Sequence, residues 1–512
     1  MLRRWISNLG SPWRPLFALG SGVLAVPAFA PFSLFPLALV STALLLLLWQ
    51  DAAPRQAFRD GWLFGVGLLG FGVFWVHISI DQFGNVGTAL AIIITLGFIL
   101  LMALYYGFAG WLACRLSGPG GGDRILVSAL LLVLFEWLRG WILTGFPWLA
   151  LGYSQIDSPL AGMAPVLGVY GVSMAVVLTS AGLVMALTGR AGSRRAALLG
   201  VPLLWLSAAL LGQVEWTRAS GNALGVSMIQ GNIAQEAKWK RENLQPTLAL
   251  YAGLTNEHWE SDLIVWPETA VPAFAHQLEE HFLSPLAAVA EKRGSALLMG
   301  IPVWHQDEKQ YYNAVLTFGS ERDSYYKRHL VPFGEFMPMK SLLEPLIDFL
   351  QIPMSDFAAG VSERPLLNFG GYPVAASICY EDAFGEEMIQ ALPEAAFLVN
   401  VSNDAWFGDS LAPHQHLEIA RMRALETGRY MLRATNTGIS ALIGPRGGLL
   451  GTSPAFEQHV LTGEILPMEG STPYAWLGNW GVIGAVLILL AGMVVTTRSA
   501  GASVGVRESP AK

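Results

Sequence analysis

A chain of 512 residues that is 53% hydrophobic and only 13% charged, with 18 tryptophans, is too apolar for a soluble protein of its size and reads as a membrane protein. Its net charge of −7, without a Lys/Arg-rich run in the polar stretches, gives a phosphate backbone nothing to bind, so nucleic acid is excluded as a partner. The two cysteines, Cys114 and Cys379, lie far apart and support no disulfide framework, so any chemistry at Cys379 is that of a free thiol.

Crossing a bilayer takes about 20 apolar residues. Such runs fall at about 13 to 30, 34 to 50, 60 to 80, 87 to 114, 125 to 144, 161 to 187, 196 to 213 and 474 to 496. The first resembles a signal peptide ending at Ala28-Phe29-Ala30, but Pro31 opposes cleavage there, and the run reads as a retained helix. Positive charge marks the cytoplasmic side. Arg3, Arg4 and Arg14 precede the first run; Arg55 and Arg59, Arg115 and Arg124, Arg190, Arg194 and Arg195, and Arg498, Arg507 and Lys512 follow the second, fourth, sixth and eighth. The alternate loops carry no Lys or Arg, which predicts both termini in the cytoplasm and a large domain on the opposite side. The expected organisation is seven transmembrane helices over 1–215, an extracytoplasmic domain over 221–470, an eighth helix over 474–496 and a tail over 497–512.

Within the large domain, short apolar runs alternate with turn signals. Residues 224–232, 262–268, 296–303, 313–318, 373–381 and 396–404 read as strands, and 283–292 and 414–429 as helices. Several strands are almost continuously apolar, as a sheet covered on both faces requires. The polar residues of interest fall where they end. Glu268 closes L-I-V-W-P-E, Lys327 stands in Y-Y-K-R-H-L-V-P-F-G-E with Glu335 at its end, and Cys379 and Glu381 lie in A-S-I-C-Y-E-D. A thiol is only a few per cent ionised at neutral pH, so a nucleophilic cysteine needs a base and a nearby cation. A glutamate can take its proton, and a lysine can favour the thiolate and hold the oxyanion of a tetrahedral intermediate. Any one of these residues alone has an ordinary structural explanation; the three strand-end signals in one domain carry the claim.

W-P-E, Y-x-K-x-H-L-V-P-F-G-E and I-C-Y-E in this order resemble the carbon-nitrogen hydrolase (nitrilase) superfamily, whose Glu, Lys and Cys form a triad on an α-β-β-α sandwich. E-W-L-R-G-W at 136 to 141, T-G-F-P-W-L at 144 to 149, and Q-G-N-I followed by Lys238-Trp239 narrow the resemblance to the apolipoprotein N-acyltransferase family, over essentially the whole chain. The fold class this implies is a nitrilase-like α/β sandwich inserted into an eight-helix transmembrane bundle. The implied roles are general base for Glu268, oxyanion stabiliser for Lys327 and acyl-carrying nucleophile for Cys379. Glu335, Tyr380 and Glu381 would support them, and Trp239 would handle substrate. The family's reaction moves an acyl chain from a phospholipid to the α-amino group of the diacylglyceryl cysteine that begins an apolipoprotein. It implies no metal or organic cofactor and a bacterial inner-membrane location with the catalytic domain in the periplasm. The alternative is a membrane-anchored amidase acting on a small extracytoplasmic amide or nitrile, against which stand more spans than anchoring needs. Transport is disfavoured, because the spans hold few polar groups and no inverted repeat.

Other residues are candidates on chemistry alone. Glu136 and Arg139 lie three apart on the fifth run, where they can pair or meet a lipid headgroup, and His77 and Trp148 are further lipid-contact candidates. His414, His416 and Asp404 invite a metal reading but lack the ligand spacing of a zinc site, and a helix start near the triad is preferred. The apolar segment 345–360 reads as a lid or a packed loop, and Trp406 and Phe407 as interfacial anchors or core.

Overall fold

The computed structural model describes residues 12–84, 86–118, 122–336, 356–362 and 364–505. The chain divides into two compact units, one of residues 1–74, 93–214 and 477–512, the other of 75–92 and 215–476.

The first unit is helical, and each of its segments corresponds to an apolar run. Its helices are α1 Trp13–Val23, α2 Pro36–Trp49, α3 Pro54–Gly72, α5 Thr88–Leu116, α6 Gly122–Arg139, α7 Ala164–Thr188, α8 Ala191–Leu211 and the last, Trp480–Gly505. The short helix α4, Val76–Gly84, belongs to the second unit. Prolines 36 and 54 stand at the first turns of α2 and α3, where their missing N–H costs nothing. Among the described residues three helices are long and apolar enough to cross a membrane: Thr88–Leu116, Pro159–Thr188 and Ala191–Leu211. The broken pair Pro54–Gly72 and Val76–Gln82 passes together. The 14-residue α2 is apolar but rises only about 21 Å at 1.5 Å per residue, less than a bilayer core. Helix α6 carries Asp123, Arg124, Glu136 and Arg139 within 18 residues, too many charges for a simple span. Two arginines on which the charge argument leaned are buried clamps. Arg14 Nη2 meets Asp60 Oδ2 at 2.7 Å and Leu48 O at 2.6 Å, tying α1, α2 and α3 together. Arg124 donates to Ala52 O at 2.8 Å and Ser117 O at 2.6 Å, and its Nη1 also touches the Cys114 sulfur at 3.4 Å.

The second unit holds two six-stranded sheets. In chain order the strands are β1 Thr217–Ala219, β2 Leu224–Gln230, β3 Leu263–Val265, β4 Ala296–His305, β5 Gln310–Phe318, β6 Asp323–Tyr326, β7 Leu366–Phe369, β8 Tyr372–Ile378, β9 Phe397–Ser402, β10 Met431–Thr435, β11 Ala441–Ile443, β12 Leu449–Thr452, β13 His459–Ile465 and β14 Met468–Gly470. One sheet runs β13-β2-β3-β4-β5-β6, the other β7-β8-β9-β10-β11-β12, and both repeat the same succession of one antiparallel, two parallel and two antiparallel pairings. A small ladder of β1 and β14 completes the unit.

Strand alternation explains the apolar runs. Val226, Leu263, Val265, Leu298, Val374, Ala376, Ile378, Phe397 and Val399 face one another between the sheets. Their neighbours Ile264, Leu297 and Met299 pack outward on Leu248 and Tyr251 of helix Arg241–Asn256 and on Leu286 and Ala290 of helix Ser284–Arg293. On the far side Ala375, Leu398 and Met431 meet Leu417, Ala420 and Ala424 of helix Ala412–Thr427. Four layers result, helix, sheet, sheet and helix, with both faces of each sheet buried, so period-2 polarity is erased. All six expected strands and both expected helices are present. Helix Arg241–Asn256 escaped the sequence because Pro246 lies inside it and its apolar face is weak.

Candidate active site

Glu268 lies three residues beyond β3, on a turn in which Trp266 N still pairs with Leu298 O at 2.8 Å and Thr269 has φ +47°. That turn rests on Gly300 of β4. A Cβ there would stand 2.6 Å from Thr269 N and 2.7 Å from Glu268 Cα and would also strike Pro267 O, so only glycine lets the strand pass. Lys327 directly follows β6, and its N–H bonds Asn313 O at 2.8 Å. Cys379 directly follows β8 at φ +54°, an uncommon value for a side-chain-bearing residue and the kind of local strain found at reactive turns.

Asn313 links the acids: its Nδ2 donates to Glu268 Oε1 at 2.7 Å and Glu335 Oε1 at 3.0 Å. Lys327 Nζ lies 2.9 Å from Glu335 and 3.5 Å from Glu268 Oε1. Glu268 Oε2 is buried and has no hydrogen-bond partner among the described residues, leaving one carboxylate oxygen available to a reacting group. Burial pulls the Lys327 ammonium down, but Glu335, Glu268 and Cys379 outweigh it, so the group is held charged. Burial and the Glu268 charge push the Cys379 thiol above its ordinary range, with Lys327 and a hydrogen bond from Ser402 only partly offsetting them. Cys379 therefore rests as a thiol, and acting as a nucleophile would require a base, for which Glu268 is the candidate.

Glu381 joins the lysine loop to the cysteine strand. Its Oε1 accepts from Tyr325 Oη at 2.9 Å, Arg328 N at 2.7 Å and His329 N at 3.1 Å, while Oε2 accepts from Ile378 N at 2.7 Å. Glu335 Oε2 accepts from Val331 N at 2.9 Å and steadies the same loop. The loop is also tied to the end of the expected lid: Phe357 N bonds Glu335 O at 3.1 Å and Gly360 N bonds Lys327 O at 2.8 Å. Residues 345–355 of that segment lie outside the described residues. Tyr380 packs on Phe384 and His329, with ring centroids 5.1 and 5.8 Å away.

Behind the nucleophile lies a buried network that the sequence did not disclose. The Cys379 carbonyl accepts from Asn400 Nδ2 and His416 Nε2, each at 3.3 Å. His416 also bonds Asp382 Oδ1 at 2.9 Å and Asp404 Oδ1 at 3.0 Å, and Arg433 reaches both aspartates at 3.2 and 3.1 Å. Burial and Arg433 pull the imidazole down, but Asp382 and Asp404 prevail and His416 is pushed up to about 9. Asp404 is held well below the usual carboxylate range, because Arg433 and His416 outweigh its burial. His416 is thus held between two aspartates that also share Arg433, and among the described residues no group of three or more His, Cys, Asp or Glu is arranged so that it could hold a metal ion.

The remaining candidates separate. Trp239, 53% exposed, and the half-buried His77 belong to the same unit as Glu268, Lys327 and Cys379, whereas Glu136, Arg139 and Trp148 belong to the other. The expected Glu136–Arg139 ion pair does not form among the described residues. Glu136 Oε1 accepts from Leu151 N at 2.8 Å, and Arg139 Nη1 donates to Phe146 O at 2.9 Å and Trp148 O at 2.7 Å, because the loop 146–151 folds back over the helix end and presents unpaired main-chain groups to both side chains. Phe407 is half-buried and packs on Trp75 of the same unit, with ring centroids 4.7 Å apart. Asn313 was missed as a site residue because it sits inside an apolar strand.

A four-layer sandwich with a buried thiol, a lysine and a glutamate at its strand ends is the design of a carbon-nitrogen hydrolase domain, and the Carbon-nitrogen hydrolase family matches residues 225–474. The Apolipoprotein N-acyltransferase N-terminal domain family matches residues 21–182. An apolipoprotein N-acyltransferase of Methylococcus capsulatus is 47% identical, covering 94% of this chain and 94% of its own length. One from Nitrosomonas europaea is 45% identical over 94% and 97%, and one from Pseudomonas syringae pv. tomato 42% over 97% and 99%. The chain therefore belongs to the apolipoprotein N-acyltransferase family of acyltransferases. Among solved structures, Saccharomyces cerevisiae Nit3 of the nitrilase superfamily is alike over 49% of this chain and 93% of its own, at 18% identity and a TM-score of 0.37.

Proposed function

We propose that the protein transfers an acyl chain from a membrane phospholipid, through a thioester on Cys379, to the α-amino group of the diacylglyceryl cysteine at the N-terminus of apolipoproteins. The observation that carries the reading is a buried Cys379 at the end of β8 in the same unit as buried Glu268 and Lys327, whose charged groups lie 3.5 Å apart, in a chain of this family. Glu268 takes the thiol proton as sulfur attacks the ester carbon, and Lys327 holds the oxyanion. The C–O bond then breaks, Glu268 returns the proton to the leaving glycerol oxygen, and a lysophospholipid departs. In the second half the lipoprotein amine attacks the thioester, Glu268 accepts its proton, the C–S bond breaks and the sulfur is reprotonated. Glu335 and Asn313 hold Lys327 and Glu268 apart at fixed distances, and Glu381 fixes the loop and the strand end against each other.

Both substrates are lipids, which supports a membrane setting for the apolar helices. In this reading all eight helical segments serve as membrane spans of the bacterial inner membrane, with both termini cytoplasmic and residues 221–470 periplasmic. The shorter segments would cross by tilting neighbours and local thinning. The test is intact mass spectrometry of the purified protein after incubation with a defined phospholipid. A gain of one acyl chain, removed by hydroxylamine, mapped to Cys379 and absent from Cys379→Ser, is the expected result. A folded wild type that gains no mass and instead releases ammonia from small amides would replace the reading with that of a membrane-anchored amidase.

A further inference from the structure

The helical turn Gln235–Lys238 places a second lysine against Glu268. Lys238 is 2% exposed, and its Nζ lies 3.4 Å from the main-chain oxygen of Glu268, the one hydrogen bond that it makes among the described residues. Burying an ammonium costs several kcal/mol unless a charge answers it, and a methionine would fill the same space without that cost. The charge that answers is Glu268, and no other charged group acts on Lys238 among the described residues. The nearby polar groups, Asn243 Nδ2 on Ala237 O at 2.7 Å and Asn403 Nδ2 on Gln235 Oε1 at 2.8 Å, are neutral and fix the turn in place. Glu268 thus has lysines at both ends, Lys327 at its carboxylate and Lys238 at its main chain.

Only one of the two is free of other duties. Lys327 is bound to Glu335 and must also meet the substrate oxyanion, which draws its charge from Glu268 during each half-reaction. We infer that Lys238 is a positioning residue for Glu268: its hydrogen bond to the Glu268 main-chain oxygen fixes the turn that presents the carboxylate, and it brings a second positive charge to the base while Lys327 serves the oxyanion. Burial pulls the Lys238 ammonium down to about 8, against the opposing pull of Glu268, so this charge is present at neutral pH and fades in mild alkali. The inference rests on Glu268 acting as the base.

The test needs no lipid. Full-length protein in detergent is alkylated with iodoacetamide from pH 5 to 10, and labelling at Cys379 is followed by peptide mass spectrometry in the wild type, K238M, K238Q, K238R and E268Q. If Lys238 supplies charge to the base, the acid limb of labelling in K238M and K238Q should move up by about one pH unit. K238R should superimpose on the wild type along that limb. An unshifted limb in both neutral variants, or an equal shift in K238R, would overturn the inference and leave Lys238 a packing residue. An E268Q profile identical to wild type would overturn the reading of Glu268 as base, a separate failure, and this inference with it.

Discussion

Replacing His416 with glutamine removes one positive charge from a buried set of four, leaving Asp382 and Asp404 to share Arg433. Taking one partner from a buried ion pair costs about 3–5 kcal/mol. Titration gives a second route to the same quantity. His416 is held at about 9 against an ordinary 6.5, which at about 1.4 kcal/mol per pH unit is worth about 3 kcal/mol of stability. The sign follows from the direction. A raised folded value means the contribution is complete below pH 6.5 and is lost as pH rises through about 9. For a unit of this size, about 3 kcal/mol lowers the melting temperature by roughly 6–12 °C.

The assay is tryptophan fluorescence melting of the full chain in detergent, wild type beside His416→Gln, from pH 6.5 to 9.5. Comparing the two proteins cancels other groups that titrate in this window, Lys238 among them. The gap should be widest at pH 6.5 and should shrink toward pH 9.5, where wild-type His416 is itself losing its proton. A gap that stays constant across the range would refute the reasoning, since a neutral His416 lost only as packing would produce that result.

Asn313→Ala takes a donor from Glu268 and Glu335 at once, and at about 1–3 kcal/mol per orphaned acceptor it should slow thioester formation about 10- to 100-fold in single-turnover mass spectrometry. Gly300→Ala forces a methyl into the backbone of the Glu268 turn and should cost about 1–3 kcal/mol in melting experiments while reducing acylation further than that loss explains. In the helical unit, Arg14→Ala leaves buried Asp60 with only the longer Arg59 contact at 3.8 Å and should destabilise by about 3–5 kcal/mol. The double variant Arg14→Ala/Asp60→Ala should recover much of that in a melting-based double-mutant cycle.

What the sequence disclosed of the site follows a physical divide. Glu268 and Cys379 were legible because each closes an apolar strand, where a polar residue breaks the pattern and the scaffold beneath is rigid, and Lys327 through the run Y-Y-K-R-H-L-V-P-F-G-E after the polar strand β6. The eight apolar runs were legible as helices; among the described residues three of them and one broken pair are also long and apolar enough to span, whereas α6 carries four charges and α2 is short for a bilayer. The network behind Cys379 was hidden for a different reason. Ser377 in β8, Asn400 in β9 and Arg433 in β10 are polar residues inside three mostly apolar strands, and each by itself looks like an interruption. Register makes them one feature: Ser377 lies opposite Asn400, and Asn400 opposite Arg433. Asn400 Nδ2 then reaches Ser377 Oγ at 3.0 Å, and Arg433 Nη1 reaches Asn400 Oδ1 at 2.7 Å. All three share the face of the sheet that carries Ala375, Leu398 and Met431, toward helix Ala412–Thr427 and its His416. A slip of one residue would turn Arg433 into the apolar space between the sheets now lined by Leu432 and Ala434. The placement of Cys379 is therefore encoded in pairs of strands, and the charge that would make a slip costly also pins the turn on which it stands.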